Sequence, residues 1–181
     1  MVSRVVVVPY DPDWPRRFEA LRDRIRPAVE DVALAIEHVG STAVPGLAAK
    51  PVIDIDVVVP RSAVADGIRL LAASGYEPRG DLGIPDREAF RAPAGLPRHH
   101  LYLCPADSLA LANHLTVRDH LRSHPDDVRA YGELKTRLAA RFAEDMDAYV
   151  EGKSAFLLDV LRRCSFDETA LTGIERMNRR D

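Results

Sequence analysis

An α+β fold with a small mixed β-sheet and a helical C-terminal half is predicted for this chain of 181 residues. Two observations carry the prediction. Short apolar runs typical of strands occur up to residue 105, whereas residues 107–163 show the apolar spacing of helices. Strands that mostly precede helices in this way are typical of α+β proteins. One domain over residues 1–181 is expected, because a chain of this length buries a single sizeable core.

Four strands are predicted from apolar runs bounded by proline or glycine. They cover residues 5–8, 36–39, 52–59 and 98–104. The third is the strongest, because it is apolar except for two aspartates. Pro60 and Pro105 end the last two strands. Between these strands, residues 79–97 are rich in glycine and proline and are predicted to form a loop or a hairpin with a mobile tip.

Five helices are predicted from apolar positions at helical spacing and from their capping residues. Asp13 caps the first helix, and Pro27 is expected to kink or break it. Ser62 caps the second helix, and Gly75 stops it. The other three cover about 107–122, 126–147 and 154–163, with breaks at His124–Pro125 and at Gly152. Residues 175–181 are expected to be frayed.

The composition is that of a soluble globular protein, with 46% hydrophobic and 29% charged residues. The net charge of −3 gives no support to non-specific nucleic-acid binding. Cys104 and Cys164 lie far apart and lack metal-site spacing, so we expect reduced thiols in a cytoplasmic protein. No apolar stretch approaches membrane length, and the run at residues 5–8 is too short for a signal peptide. Neither a nucleic acid nor a membrane is expected as a partner.

The candidate site lies between the second and third predicted strands. Gly40-Ser41 directly follows a strand, where glycine lets the backbone approach a phosphate and where N–H groups and a hydroxyl donate hydrogen bonds. Asp54 and Asp56 stand two positions apart on the next strand and therefore point to one face. Two such carboxylates repel each other unless a cation lies between them. The pattern indicates phosphate chemistry with magnesium; the alternative is one arginine-paired and one solvated aspartate.

A longer string around these residues resembles the signature of a known family. Residues 37–47, Glu-His-Val-Gly-Ser-Thr-Ala-Val-Pro-Gly-Leu, and residues 50–55, Lys-Pro-Val-Ile-Asp-Ile, are similar to the GrpB family. That family belongs to the DNA polymerase β-like nucleotidyltransferase superfamily. Similar segments occur near the start, around His99-His100 and in the helical half, so the resemblance covers nearly the whole chain. It implies a nucleotidyltransferase-like core with flanking helices.

The resemblance also implies an activity, the transfer of a nucleoside monophosphate from an NTP to a small acceptor with Mg²⁺ or Mn²⁺. Gly40 and Ser41 would hold the triphosphate, and Asp54 and Asp56 the metal. Active members add a third carboxylate from a neighbouring strand. In this chain His100 stands there, and Tyr102 replaces a second histidine of the family pattern.

The role of His100 is open on the sequence alone. Imidazole suits manganese, zinc or nickel better than magnesium. A neutral His100 is also suited to act as a general base, or simply to form a hydrogen bond with Asp54 or Asp56.

Several basic residues are candidates for binding the triphosphate. His114, Arg118 and Arg122 follow the spacing i, i+4, i+8 and share one helical stripe, which indicates either a positive rim over the phosphates or a solvated face. Lys50 lies in the loop between Gly-Ser and the aspartates. Lys135 and Lys153 complete the predicted nucleotide-binding set.

Two other functions compete with the transferase. The first is a non-catalytic nucleotide- or coenzyme A-related binding module, because the third carboxylate is missing and some proteins similar to this family are fused to dephospho-coenzyme A kinase. The second is a metal-dependent hydrolase that uses His99, His100 and the aspartates.

Overall fold

The centre of the molecule is a five-stranded sheet, described by a computed structural model over residues 4–178. Its strands are β1 (Ala35–Val39), β2 (Ile53–Val59), β3 (Glu77–Pro78), β4 (Glu88–Arg91) and β5 (His99–Pro105). They lie in the order β1-β2-β5-β4-β3. β2 and β5 are parallel and the other pairs antiparallel, so the predicted small mixed sheet is confirmed.

Helices flank the sheet and make up most of the C-terminal half, as predicted. They are α1 (Trp14–Val29), α2 (Val64–Ala73), α3 (Leu109–Ser123), α4 (Pro125–Arg141), α5 (Met146–Glu151), α6 (Ser154–Arg163) and α7 (Glu168–Asn178). No helix within residues 4–178 is long and apolar enough to cross a membrane. Cys104 is buried and Cys164 is partly exposed, and neither forms a disulfide in this structure.

The main core lies between one face of the sheet and helices α1 and α2. Ile53, Ile55 and Val57 of β2 project to this side, where Trp14 and Leu71 are also fully buried. Each fully buried aliphatic side chain contributes about 1.5–3 kcal/mol to folding. The alternation of β2 thereby places its two aspartates on the opposite face, as the sequence predicted.

The opposite face of the sheet is only partly covered. Val58 and Cys104 pack there against Leu111 of α3. Asp56 lies beneath α3 and is fully buried, whereas Asp54, nearer the start of β2, keeps 28% of its side-chain surface exposed. The uncovered part of this face forms the floor of a cleft.

Three local predictions in the first half of the chain were wrong. Residues 5–8 form no strand; Val8 makes one isolated antiparallel bridge to Ala49 instead. Of the kink or break predicted at Pro27, the break does not occur, because the proline removes a single hydrogen bond within the last turn of a helix that ends at Val29. Ser62 does not cap α2; it lies in a 3₁₀ turn that precedes the helix.

Two predictions in the second half also need correction. The predicted helix 126–147 is two helices, because α4 ends at Arg141 and Asp145 caps α5 by accepting a hydrogen bond from the Ala148 N–H at 2.9 Å. Residues 175–178, predicted to be frayed, continue α7, which buries Ile174 against Leu161. Residues 179–181 lie outside the described part. Of the two forms predicted for residues 79–97, the structure shows the hairpin in part: the stretch supplies the connection and β4, whereas the partner strand β3 precedes it.

Candidate functional site

A cleft of about 320 Å³ opens beside Asp54, between the sheet and the C-terminal helices. This volume is at the lower end of the range for small-molecule sites. Eight of the predicted site residues line it: Gly40, Ser41, Lys50, Asp54, His100, Arg118, Lys135 and Lys153. Two predicted residues do not: Asp56 lies buried beneath it, and Arg122 borders a separate groove.

Gly40 is required by the close approach of two strands. It follows β1, whose last residue, Val39, is paired with Asp54 of β2. Gly40 has a φ of 69°, which favours glycine. A Cβ atom at this position would collide with the Asp54 carboxylate, lying 2.9 Å from its Cγ. The glycine therefore lets the backbone that carries Ser41 pass directly over the carboxylate.

Asp54 and His100 form the first carboxylate–imidazole pair of the cleft. They are partners in the parallel register of β2 and β5, and the His100 Nδ1–H donates to Asp54 Oδ1 at 2.8 Å. Burial acts to raise the pKa of Asp54, but the hydrogen bond from His100 and neighbouring positive charges hold that pKa below its ordinary value. Of the three roles open to His100, the structure shows the hydrogen bond.

Asp56 and His114 form a second pair, which the sequence did not predict. His114 of α3 donates its Nδ1–H to Asp56 Oδ2 at 2.7 Å. Burial opposes the charged imidazole, but the charge of Asp56 and this hydrogen bond raise the pKa of His114 above its ordinary value. The helical spacing predicts His114 only as a member of the basic stripe of α3. Asp56 is the feature of the sequence that could have indicated this pair, because a buried carboxylate requires a cationic or hydrogen-bonding partner.

The lysines of this protein are concentrated in the cleft. The chain contains three lysines and 22 arginines, and all three lysines line this cleft. Two tyrosine rings hold their ammonium groups. The Lys135 Nζ lies 4.5 Å from the Tyr131 ring centroid, and the Lys153 and Lys50 Nζ atoms lie 4.8 Å and 5.7 Å from that of Tyr149. Cation–π contacts of this kind stabilise an ammonium without neutralising it.

Lys135 is the least compensated of the three. Its side chain is 2% exposed, and its Nζ has no hydrogen-bond partner within the described residues. Burial, with a further contribution from Lys153, lowers the pKa of Lys135 to about 6. Burial and the charge of Lys50 lower the pKa of Lys153 to about 8. A cluster of crowded, desolvated ammonium groups is stabilised by a multiply charged anion.

The arginines of α3 do not form the predicted rim over a triphosphate. Arg118 lines the cleft but donates to Glu37 at 2.6 Å and to Asp119 at 2.7 Å, so two carboxylates compensate its charge. Arg122 donates to the Ala43 carbonyl at 3.0 Å, on the side of the second groove. At this end of the cleft, the positive charge therefore comes from the lysines of the loop, α4 and the α5–α6 connection.

The opposite end of the cleft carries a residue that the sequence did not single out. Arg87 directly precedes β4, and its guanidinium lies 4.3 Å from the ring centroid of Tyr102. The residue is 7% exposed, and its Nε has no hydrogen-bond partner in the part of the chain that the structure describes. Asn113 lines the same cleft. No local pattern marks Arg87, because it lies in the glycine- and proline-rich stretch.

The carboxylates fit a metal ion that is held partly by its substrate. Among the described residues, no group of three or more His, Cys, Asp or Glu side chains is arranged to hold a metal. Asp54 nevertheless offers a hard oxygen ligand at the cleft, and Asp56 lies directly beneath, where its Oδ1 is buried without a hydrogen-bond partner within that range. Mg²⁺ is usually bound by one or two carboxylates together with substrate phosphates and water. This donor set therefore suits an ion that arrives with a polyphosphate.

His99 lies away from these groups, although it adjoins His100 in sequence. Its Nε2 lies 3.0 Å from the Tyr76 hydroxyl, and its Nδ1 lies 2.7 Å from the Pro97 carbonyl. Burial lowers the pKa of His99 below its ordinary value. The residue therefore supports the β3 side of the fold, and a hydrolytic site that combines it with His100 is not formed.

Comparison with known proteins agrees with this architecture. The family model described as GrpB protein matches residues 4–163. The chain belongs to the GrpB family. It is 41% identical to a UPF0157 protein of Pseudomonas aeruginosa over 174 residues, which cover 89% of this chain and 68% of that protein.

Other GrpB relatives are considerably longer than this chain. The UPF0157 protein YqkA of Bacillus subtilis is 33% identical over 85% of this chain, and the match spans 45% of YqkA. A dephospho-CoA kinase of Mycolicibacterium paratuberculosis is 34% identical over 93% of this chain, and the match spans 48% of that enzyme. The chain thus spans less than half the length of these two relatives.

Solved structures share this fold. The crystal structure of GrpB from Enterococcus faecalis matches with a TM-score of 0.77 and 31% identity, covering 93% of this chain and 99% of that one. Cid1 in complex with its short product ApU gives a TM-score of 0.54 over 84% of this chain and 49% of its own. Terminal uridylyl transferase 4 from Trypanosoma brucei, with bound CTP, gives 0.51 over 96% and 56%. At 14% identity, these last two likenesses concern the fold alone.

Proposed function

We propose that this GrpB protein binds a nucleoside triphosphate with Mg²⁺ or Mn²⁺ and transfers a nucleoside monophosphate to a small acceptor. The observation that carries the proposal is the buried side-chain amine of Lys135, which has no hydrogen-bond partner within the described residues and shares one cleft with Lys153, Lys50 and the Asp54 carboxylate. Three ammonium groups suit a chain of phosphates better than a single phosphate, because the negative charges on the non-bridging oxygens of successive phosphates can then each pair with a different lysine.

The two ends of the phosphate chain would meet different groups. The lysines would neutralise the β- and γ-phosphates, while the backbone at Gly40 and the Ser41 side chain would lie nearer the α-phosphate. Asp54 and Asp56 would hold the divalent ion. When bound, that ion would stabilise charge on the phosphoryl oxygens. Cid1 with ApU and terminal uridylyl transferase 4 with CTP support the proposal as proteins of the same fold that hold nucleotides.

The proposed reaction is a substitution at the α-phosphorus. An acceptor hydroxyl or amine forms a new bond to that phosphorus, and the bond to the oxygen bridging the α- and β-phosphates breaks. Pyrophosphate leaves with the bonding electrons, and the proton of the acceptor passes to solvent. Because negative charge develops on the leaving pyrophosphate, lysines fixed around it would lower the barrier. The net charge of −3 favours a small acceptor over a nucleic acid. We also infer a cytoplasmic location for the protein.

A binding module without turnover is the second candidate. It is favoured by the hydrogen bond between His100 and Asp54. On the strand where active members would carry a third carboxylate, this chain has an imidazole, and that imidazole is hydrogen-bonded to the first carboxylate, Asp54. Such a protein would hold a nucleotide or a coenzyme A-related ligand. The dephospho-CoA kinase relative supports a ligand of this class. Release of pyrophosphate from an NTP in the presence of a pool of small alcohols and amines would exclude this candidate.

The binding step is tested by isothermal titration calorimetry with ATP, GTP, CTP and UTP, each with Mg²⁺ or Mn²⁺. Lys135→Met is expected to weaken binding roughly tenfold to a hundredfold, because a hydrogen bond to a charged group contributes about 1.5–3 kcal/mol. Arg137→Met is the matched control, since it removes an exposed charge from the same helix. Absence of binding by the unmodified protein at millimolar concentrations of every nucleotide would overturn the proposal.

A further inference from the structure

Arg87 presents an uncompensated charge to the cleft. An arginine is always protonated in a protein, so burying its guanidinium without an anion is costly. Arg118, which lines the same cleft, is paired with two carboxylates, whereas Arg87 forms no ion pair with any residue that the structure describes. The face of Tyr102 holds the guanidinium but does not neutralise it.

The position of Arg87 separates it from the lysines. Gly40 and Ser41 follow β1 at one edge of the sheet, and Ser41 contacts Tyr131, which packs against Lys135. Arg87 precedes β4, on the far side of β5. The two central strands, which carry Asp54 and His100, lie between these ends. The cleft therefore has two cationic ends with a carboxylate between them.

We propose that the Arg87 end of the cleft binds the acceptor through an anionic group, either a phosphate or a carboxylate. The inference rests on the proposed function, because it names the chemical class of the acceptor in that reaction. With the NTP phosphates at the lysines, an acceptor held at Arg87 approaches the reacting phosphorus from the opposite side. Such an arrangement suits the in-line geometry of phosphoryl substitution.

The chemistry of Arg87 defines what the acceptor must carry. A guanidinium presents two parallel N–H groups that match the paired oxygens of a carboxylate or a phosphate. Tyr102 holds the guanidinium over its ring, with Cζ 4.3 Å from the ring centroid, and Asn113, which lines the same cleft, has an amide that can donate and accept. The acceptor is thus a small molecule with a nucleophilic hydroxyl or amine at one end and a fixed negative charge at the other.

The test uses inorganic phosphate and acetate as probes of the Arg87 end. Each is titrated by calorimetry into the full chain saturated with ATP and Mg²⁺, so that the lysines are occupied. We expect one of the two anions to bind. Preference for phosphate would indicate an acceptor that carries a phosphate, and preference for acetate would indicate one that carries a carboxylate. Arg87→Met should weaken this binding at least about tenfold while leaving ATP affinity unchanged. Arg91→Met, which removes an exposed arginine from β4, should change neither.

The possible failures are distinguishable. If ATP does not bind, the proposed function fails. The anion site is then tested in Lys135→Met, and it stands if phosphate binds to that variant and no longer binds when Arg87 is also replaced by Met. If ATP binds and the unmodified protein then binds neither probe, the acceptor site is refuted without any variant. Unchanged anion binding by Arg87→Met, accompanied by a lower melting temperature, would show that Arg87 serves only folding. Should that variant not fold, Arg87→Lys keeps the charge but loses the paired donors, and it is expected to weaken phosphate binding.

Discussion

Nδ1 of His100 lies 2.8 Å from Oδ1 of Asp54, directly across the boundary between two parallel strands. This contact occupies the place where a third carboxylate would face the first. It also means that the charge of Asp54 is partly compensated by the protein itself. Under the proposed function, the pair would set how strongly the cleft binds a divalent ion, which leads to the first prediction.

His100→Asp is expected to strengthen metal binding and to weaken the metal-free protein. Two facing carboxylates repel each other, so the melting temperature without metal should fall and should recover with Mn²⁺. An additional anionic ligand should raise Mn²⁺ affinity at least about tenfold, measured by calorimetry. His124→Asp adds the same charge at an exposed position and is the control. Equal metal affinities of the two variants would contradict the assignment of Asp54 to a metal.

His114→Gln is expected to destabilise the fold most strongly at acidic and neutral pH. The folded-state pKa of His114 is raised, so its contribution is fully present below the ordinary histidine value and is lost as pH rises through the folded value. Removing the cationic partner of buried Asp56 should cost about 2–4 kcal/mol near pH 6 and less near pH 9. Urea unfolding at both pH values measures the difference. A loss that is independent of pH would show that the imidazole is not charged in the fold.

Lys135→Met is expected to stabilise the nucleotide-free protein at neutral pH. The folded-state pKa of Lys135 is about 6, below its ordinary value of 10.5, so the unfolded chain binds more protons between these values. Stability of the unmodified protein should therefore rise with pH across this window, and the variant should lose that rise. At pH 7 the gain should be about 1–3 kcal/mol, measured by urea unfolding. A variant less stable than the parent at pH 7 would indicate that the fold supplies a partner for this ammonium.

Gly40→Ala is expected to destabilise the protein and to abolish nucleotide binding. Both Gly40 and Gly46 have positive φ angles, but a Cβ on Gly46 would meet no atom within 4 Å, whereas one on Gly40 would strike Asp54. Gly46→Ala therefore measures the backbone strain alone. The clash should make Gly40→Ala about 1–3 kcal/mol worse than this control in thermal unfolding. Equal losses would mean that Asp54 moves aside freely.

The parts of the fold and site that depend on local pattern were predictable from the sequence. The period-2 alternation of β2 placed Asp54 and Asp56 on the face opposite Ile53 and Ile55. The glycine after β1 was predicted to let the backbone approach a phosphate, whereas the structure shows it beside the Asp54 carboxylate. The apolar runs likewise located β1, β2 and β5, but they did not mark the short strands β3 and β4. The strand predicted from the apolar run at residues 5–8 is absent. Apolar character indicates burial, but it does not tell whether the edge of a neighbouring strand is free to pair.

The contacts that define the chemistry were not predictable in this way. His114 and Asp56 are 58 positions apart, and the hydrogen bond between them depends on how α3 crosses the sheet. Arg87 becomes significant only because β4 brings it onto Tyr102. Regular periodicity on α3 suggested that Arg118 and Arg122 would serve the same ligand as His114, but packing gives each a different partner.

The confinement of lysine to the cleft has a practical consequence for covalent labelling. Since Lys50, Lys135 and Lys153 are the only lysines of the chain, every side-chain amine belongs to the site. The neutral amine is the form that reacts with acylating reagents, and burial keeps a substantial share of Lys135 in that form near pH 7. Acylation mapped to the lysine peptides would thus report occupancy of the cleft, and enzymatic lysine acetylation would modify this protein only within the proposed site.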